Sequence, residues 1–271
     1  MKRTVALILS VLMIALTFCA CGTNENKNLA EVRLGLVDNN LPYDEIFYGV
    51  DLHLPEHGYK LVYEFFDSAD KAEQALVNGD VDFTCVTESG DFELNGNTEL
   101  VNLGAAYYFP YALFLISCEE EEEIKDGASI AIPSDPDGMA RALLLLDYNG
   151  YITLKEGADL TATPDDIEKS DRGFKVQPVD PDKVIGSDAD MIITDSVRAV
   201  DAGYDFLIDS IFIEEMDSIA AEKHSTVILT TSANAAGEKM KLVDEFLFTR
   251  RMFNSIDGCS GNMVVPAFIP R

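Results

Sequence analysis

Basic residues are scarce in this chain: 20 Lys and Arg stand against 48 Asp and Glu, for a formal net charge of −28. A surface of that sign repels phosphate backbones at long range, so nucleic acid is excluded as a partner. Histidine is scarcer still, with three in 271 residues. His53 and His57 share a helical spacing, but Pro55 lies between them and no third ligand stands nearby, so they read as a surface turn. His224, in "AEKHSTV", has no nucleophile elbow around Ser225 and reads as a hinge or cleft-edge residue. Phosphate loops, dinucleotide glycines and metal spacings are missing as well. No catalytic residue, no metal and no cofactor is expected. Of five cysteines, Cys85, Cys118 and Cys259 lie at wide, unrelated spacings; three thiols cannot all pair, and no metal pattern appears. Beyond the first twenty residues no apolar run approaches membrane length.

What is there begins with Lys2 and Arg3, followed by an uncharged apolar run from Val5 to Phe18. That run is short for a span, which needs roughly twenty residues, and reads as a secretory signal over 1–20. It ends in "FCACG", which resembles a bacterial lipobox, with Cys21 as the residue that is cleaved to the N-terminus and acylated. Residues 21–30, including the polar "GTNENKN", form a lipidated tether. About 250 residues remain, enough for one large domain or two modest ones. The acidic run at Glu119 to Glu123 is a solvated loop or helix start.

Strands and helices alternate along the body. "VRLGLV" (Val32 to Val37) predicts a strand, "YDEIFYGVDLHL" a helix ended by Pro55, Lys60 to Phe66 a strand, "SADKAEQALVNGD" a helix capped by Ser68 and closed by Gly79, and Val81 to Val86 a strand. The alternation implies a parallel sheet with right-handed crossovers. It pauses at Leu100 to Ser117, "LVNLGAAYYFPYALFLIS", a stretch split by Pro110 that reads as a passage from one sheet to another. It resumes with strand Ser129 to Ile132, helix Pro136 to Tyr148, strands Lys175 to Val179 and Met191 to Thr194, and helix Ser196 to Ala202. Strand Thr226 to Thr231 and one amphipathic helix through "AAGEKMKLVDEFLFTRRMF" close the chain and return to the first lobe.

The helix from Pro136 carries the main functional signal. Ser134 and Asp135 suit the N-cap, and Pro136 loses no hydrogen bond at the first helical position. The free N–H groups of its first turn follow a strand, the place where open α/β sheets bind anionic groups. Arg141, one turn further in, has a planar fork that suits a carboxylate; on spacing alone it serves equally as a surface residue or a partner of Asp137. The aromatics Tyr107 to Tyr111 wall an apolar pocket or pack a crossover strand, and Tyr108 and Tyr111 are the candidates for ligand contact because a buried Tyr needs a partner for its hydroxyl.

From Ser129 to Ile167 the sequence "SIAIPSDPDGMARALLLLDYNGYITLKEGADLTATPDDI" resembles the central segment of the methionine-binding lipoproteins of the NlpA/MetQ type, the substrate-binding components of ABC importers. Weaker resemblance covers the lipobox, "ALVNGDVDFTCV" and "YYFPYALFLIS". It implies a two-lobed periplasmic-binding-protein fold, type II-like, each lobe a mostly parallel sheet flanked by helices, with crossover strands between them. The lobes are expected at 31–110 plus 223–271 and at 111–222. The family's ligand-carboxylate arginine falls on Arg141. Where the family carries a Gln-His pair this chain has Thr87 and Glu88. The family's Asn-x-Asn falls on Thr194, Asp195 and Ser196, and a further Asn falls near Thr226. Methionine as the ligand is thereby put in question. The resemblance implies a lipid-anchored protein on the extracytoplasmic face of the cell membrane, without enzymatic activity. Its expected ligand is a small amino acid or related carboxylate, and its expected partner an ABC permease. Arg141, Ser134 and Asp135 would hold the carboxylate, Tyr108 and Tyr111 the side chain, and Glu88, Thr194, Asp195 and Thr226 would set selectivity. Two alternatives remain: a degenerate cleft in a surface lipoprotein that docks another protein or acts as a sensor, and a small-molecule enzyme.

Overall fold

In a computed structural model of the protein, the described residues are 29–37, 41–88, 99–258 and 263–271. The signal segment, Cys21, tether residues 22–28 and Cys259 lie outside them, as do the side chains of Thr87 and Glu88, whereas Ala30, expected at the end of the tether, already opens the first strand. The strands are β1 (Ala30–Val37), β2 (Tyr59–Phe66), β3 (Phe83–Glu88), β4 (Leu100–Tyr108), β5 (Tyr111–Leu115), β6 (Ser129–Pro133), β7 (Thr153–Leu154), β8 (Ile167–Lys169), β9 (Lys175–Val179), β10 (Met191–Asp195), β11 (Ser210–Ile213), β12 (Thr226–Thr231) and β13 (Val265–Pro266). They build a six-stranded sheet in the order β13-β4-β12-β3-β1-β2, a five-stranded sheet in the order β11-β5-β10-β6-β9, and a small β7-β8 hairpin.

Each sheet organises its own lobe. On the first pack Leu34, Leu36, Phe47, Phe83, Tyr107, Val243 and Met252. One face of the second packs Leu113, Ile130, Ile132, Leu143, Leu146 and Ile193, and the other packs Phe114, Val184, Ile192 and Phe206. At about 1.5–3 kcal/mol for each large apolar side chain removed from water, these cores are what hold the lobes together. The chain leaves the first sheet at Tyr108 and enters the second at Tyr111, with Phe109 and Pro110 between. It returns through residues 214–225.

The expectation of mostly parallel sheets needs adjustment. β1 runs parallel to β2 and β3, and β6 runs parallel to β9 and β10. The strands next to the crossings run the other way: β12 is antiparallel to β3 and β4, and β5 is antiparallel to β10 and β11. A strand that carries the chain between lobes enters its sheet from the cleft end. It therefore opposes strands that were threaded by ordinary crossover helices.

Two predicted helices are broken. The early one divides at Phe47 into Tyr48–His53 and Tyr43–Ile46, and a 3-10 turn, Leu54–His57, carries Pro55. His53 is not on an open surface: its ring lies 4.2 Å from Phe246 and 4.5 Å from His57, with its Nε2 3.3 Å from Glu245. Among the described residues no group of His, Cys, Asp and Glu is arranged to hold a metal. The C-terminal helix becomes three, Ser232–Ala235, Glu238–Asp244 and Arg250–Asp257. Its last break falls at Phe248, whose φ of 57° is left-handed, after which the Thr249 hydroxyl caps Met252. The Phe248 ring packs so closely on Gly104 that a Cβ there would meet it at 2.8 Å. Tertiary packing has overridden a continuous helical pattern.

Candidate functional site

The cleft ends of β5, β6 and β10 converge on the start of helix Pro136–Tyr148. Asp135 has the extended backbone of an N-cap, and its carboxylate accepts the Gly138 N–H at 2.8 Å. This helix end is thus capped from within, in the place where sequence reasoning put a ligand carboxylate. Ser134, beside it, is exposed. Gly138 is demanded by close approach: a Cβ there would stand 2.8 Å from both the Tyr111 hydroxyl and Pro133 Cβ, and 2.9 Å from the Asp135 carboxylate.

Arg141 follows one turn later and is only 6% exposed. Its Nε and Nη2 donate to the two carboxylate oxygens of Glu214, at 3.3 and 2.5 Å. Nη2 donates as well to the Phe109 carbonyl at 2.9 Å, in the first crossing segment. The guanidinium lies 4.3 Å from the centre of the Tyr111 ring. Two edges of the fork are therefore committed, and Nη1 makes no hydrogen bond among the described residues. Burial opposes the charge of Arg141, but the Glu214 carboxylate more than offsets it and leaves the guanidinium pKa above its ordinary value.

Glu214 was not identifiable from sequence. It is 3% exposed, its N–H donates to Tyr111 O at 2.8 Å, and its carbonyl accepts the Tyr108 hydroxyl at 2.8 Å. It is the first residue of the return crossing, so both passages between the lobes meet at Arg141. One acidic residue among 48 carries no local signature; the only available hint is its place directly after the apolar strand "SIFI".

The remaining predicted site residues divide. Tyr111 and Asp195 are directly paired across β5 and β10, on the face that carries Leu113 and Ile193 and packs against the Arg141 helix. Asp195 caps the helix Ser196–Asp201 through the Arg198 N–H at 2.9 Å and pairs with Arg198 Nη1 at 2.5 Å. Tyr108 is wholly buried and its hydroxyl donates to the Glu214 carbonyl, so the partner its hydroxyl needs is supplied by the return crossing. Thr194 is corrected. Its parity follows Ile192, on the opposite face from Arg141, where its hydroxyl is buried without a hydrogen-bond partner. Thr226 belongs to the first lobe, where it pairs in register with Glu88 and Tyr107. The Glu88 side chain lies outside the described residues. Tyr107, not chosen from sequence, is buried against Cys85, Tyr43 and Thr226, and burial first of all raises its hydroxyl pKa. Cys85 is a free thiol, pushed up to about 12 by the same burial.

Contacts across the lobes border this site. His224, at the end of the return crossing, lies 2.9 Å from Asp137 in the first turn of the Arg141 helix. That hydrogen bond holds the Asp137 carboxyl below its ordinary value against an opposing burial effect. The Ser196 hydroxyl donates to the Met263 carbonyl at 2.5 Å, next to β13 of the first sheet.

The family model for NlpA lipoproteins matches residues 38–268. The D-methionine-binding lipoprotein MetQ of Salmonella typhi is 25% identical over 236 residues, 84% of each chain. Outer membrane lipoprotein 1 of Mannheimia haemolytica is 27% identical over 169 residues, covering 60% of this chain and 61% of the relative; the match thus spans about three fifths of that relative's length. The crystal structure of a lipoprotein from Ruminococcus gnavus superposes with a TM-score of 0.60 at 27% identity, over 87% of this chain and 98% of that one. With the family model covering most of its length, the chain belongs to the NlpA lipoprotein family.

Proposed function

We propose that this protein is the lipid-anchored, extracytoplasmic solute-binding component of an ABC importer, and that it holds a small carboxylate-bearing ligand, of the amino-acid class, between lobes bounded at 110/111 and 222/223. The observation that carries the reading is Arg141. It is buried at the junction of both crossings, oriented through Nε and Nη2 by Glu214 and Phe109, and among the described residues Nη1 is left for a partner. A guanidinium fixed in this way has little orientation left to lose when a carboxylate arrives. Tyr111 supports the guanidinium face, and Thr226 and Glu88 would meet the ligand from the first lobe.

Function here is recognition without chemistry. A ligand held at Arg141 and touched from the first lobe stabilises the closed arrangement, and a permease distinguishes that arrangement from the open one. The name of the Salmonella relative makes methionine the first ligand to try. The test is native mass spectrometry of the protein as purified, and again after unfolding and refolding with a panel of amino acids. A one-to-one adduct that disappears in Arg141→Lys, which keeps the charge but loses the fork, supports the assignment. An adduct unaffected by that change removes Arg141 from the site, and release of a chemically altered product would mark an enzyme instead.

A further inference from the structure

The charges around Arg141 do not add up to an anion site. Glu214 already neutralises the guanidinium, in contact with two of its nitrogens along one edge. Arg198 is likewise occupied, by Asp195 at 2.5 Å and Asp182 at 3.4 Å. The Asp135 carboxylate accepts only the Gly138 N–H, and no cation is paired with it among the described residues. Asp137 faces His224, which carries charge only when protonated. Tyr111 borders this group: its ring lies 4.3 Å from the Arg141 guanidinium, it pairs with Asp195 across the sheet, and its hydroxyl and the Asp135 carboxylate both flank Gly138. The surroundings of Arg141 therefore offer the N–H groups of one nitrogen, Nη1, beside an excess of carboxylates.

Such a site can orient a carboxylate but cannot balance its charge. A ligand whose only charge is negative gains the Nη1 contact and meets uncompensated repulsion from Asp135 and Asp137. A zwitterion brings its own ammonium and is neutral overall. A ligand with a second ammonium gains attraction on top of the same carboxylate contact. In a small, partly screened site one such charge contact is enough to change affinity by about tenfold. The chain's overall charge of −28 adds a long-range contribution of the same sign to capture.

We propose that the cleft ranks amino acids by net charge, taking basic ones before neutral ones and neutral ones before acidic ones, with Asp135 as the main selectivity residue. The proposal rests on the carboxylate-binding reading of Arg141 and refines its ligand class. Three near-isosteric amino acids isolate the variable: lysine, norleucine and 2-aminoadipate differ in the charge at the end of one chain length. Calorimetric titration of the whole protein at low salt should give Kd values rising in that order, with about tenfold or more between lysine and norleucine. Added salt should narrow the spacing. Asp135→Asn retains an N-capping side chain, so it should narrow the lysine to norleucine gap with the fold intact, while Arg141→Lys should weaken every ligand that binds.

The failures are distinguishable. If norleucine binds as tightly as lysine or tighter, and Arg141→Lys still weakens it, the charge ranking is overturned while the carboxylate reading stands. If the ranking holds in wild type and Asp135→Asn leaves it unchanged, Asp135 loses the role. If none of the three binds, the carboxylate reading falls and the ranking falls with it.

Discussion

Arg141 and Arg198 sit in the same lobe, and each has a guanidinium nitrogen 2.5 Å from a carboxylate oxygen. Their surroundings differ. The side chains of Arg141 and Glu214 are 7% and 3% exposed, while those of Arg198 and Asp195 are 43% and 11% exposed. The same shortest contact distance therefore carries different consequences. A pair reached by water contributes little, about 0–1 kcal/mol, because solvent screens it and replaces either partner when one is lost. A buried pair need not stabilise much relative to an apolar substitute, yet removing one partner strands a charge where water cannot reach it. The contrast separates an ion pair that trims a helix end from one that fixes the junction of the two lobes.

The largest effect that sharpens this comparison is Arg141→Ala, expected to destabilise the protein by about 3–5 kcal/mol because Glu214 is left buried and unpaired. Chemical denaturation measures it directly, and a loss below about 1 kcal/mol would show that the pair behaves like the exposed one. The double change Arg141→Met with Glu214→Leu removes both charges and should recover most of that stability. It should nevertheless leave the protein unable to retain a carboxylate ligand. Recovery of folding without recovery of binding separates the structural role of the pair from its recognition role.

Next in size is Gly138→Ala. The added methyl meets Tyr111, Pro133 and Asp135 at 2.8 to 2.9 Å, so the neighbours must shift, at about 1–3 kcal/mol for a tightly packed position. Tyr111 carries the face of the guanidinium, so ligand affinity should fall along with stability. At Arg198 the expectation is small: Arg198→Ala should change stability by less than about 1 kcal/mol, as thermal melts would register. A larger loss would mean that Asp195, which caps its helix whether or not Arg198 is present, depends on that arginine more than its exposure suggests.

Sequence reached the site unevenly, for physical reasons. The helix Pro136–Tyr148 was legible to the residue because its start signals are local, an Asp cap and a proline at the first position, and nothing in the tertiary structure opposes them. The passage between sheets at Pro110 was legible because a proline cannot continue a central strand. Glu214 was not legible. What distinguishes it is burial against an arginine 73 positions away, and no local pattern encodes such a contact. Thr194 and Asp195 illustrate an intermediate case: alternation from Met191 places them on opposite faces, so that Asp195 joins Arg141 while Thr194 turns away. The broken C-terminal helix failed for a third reason, since the Phe248 ring against Gly104 is a long-range constraint on a locally helical sequence.

Between the two arginine pairs lies an intermediate, His224 with Asp137, whose side chains are 17% and 49% exposed. It bridges the return crossing and the second lobe, and its dependence on pH follows from the direction of its shift. The folded Asp137 carboxyl titrates below its ordinary 3.8, so its contribution is fully present above the unfolded value and is lost as pH falls through the lower folded one. Thermal melts of wild type and Asp137→Asn should therefore differ in the mildly acidic range, where the carboxylate is ionised and an ordinary imidazole is still protonated, and converge as pH falls below the ordinary carboxylate range. Convergence at neutral pH, with no further change on acidification, would mean that the contact adds nothing in water and would place this pair with Arg198, on the screened side of the comparison.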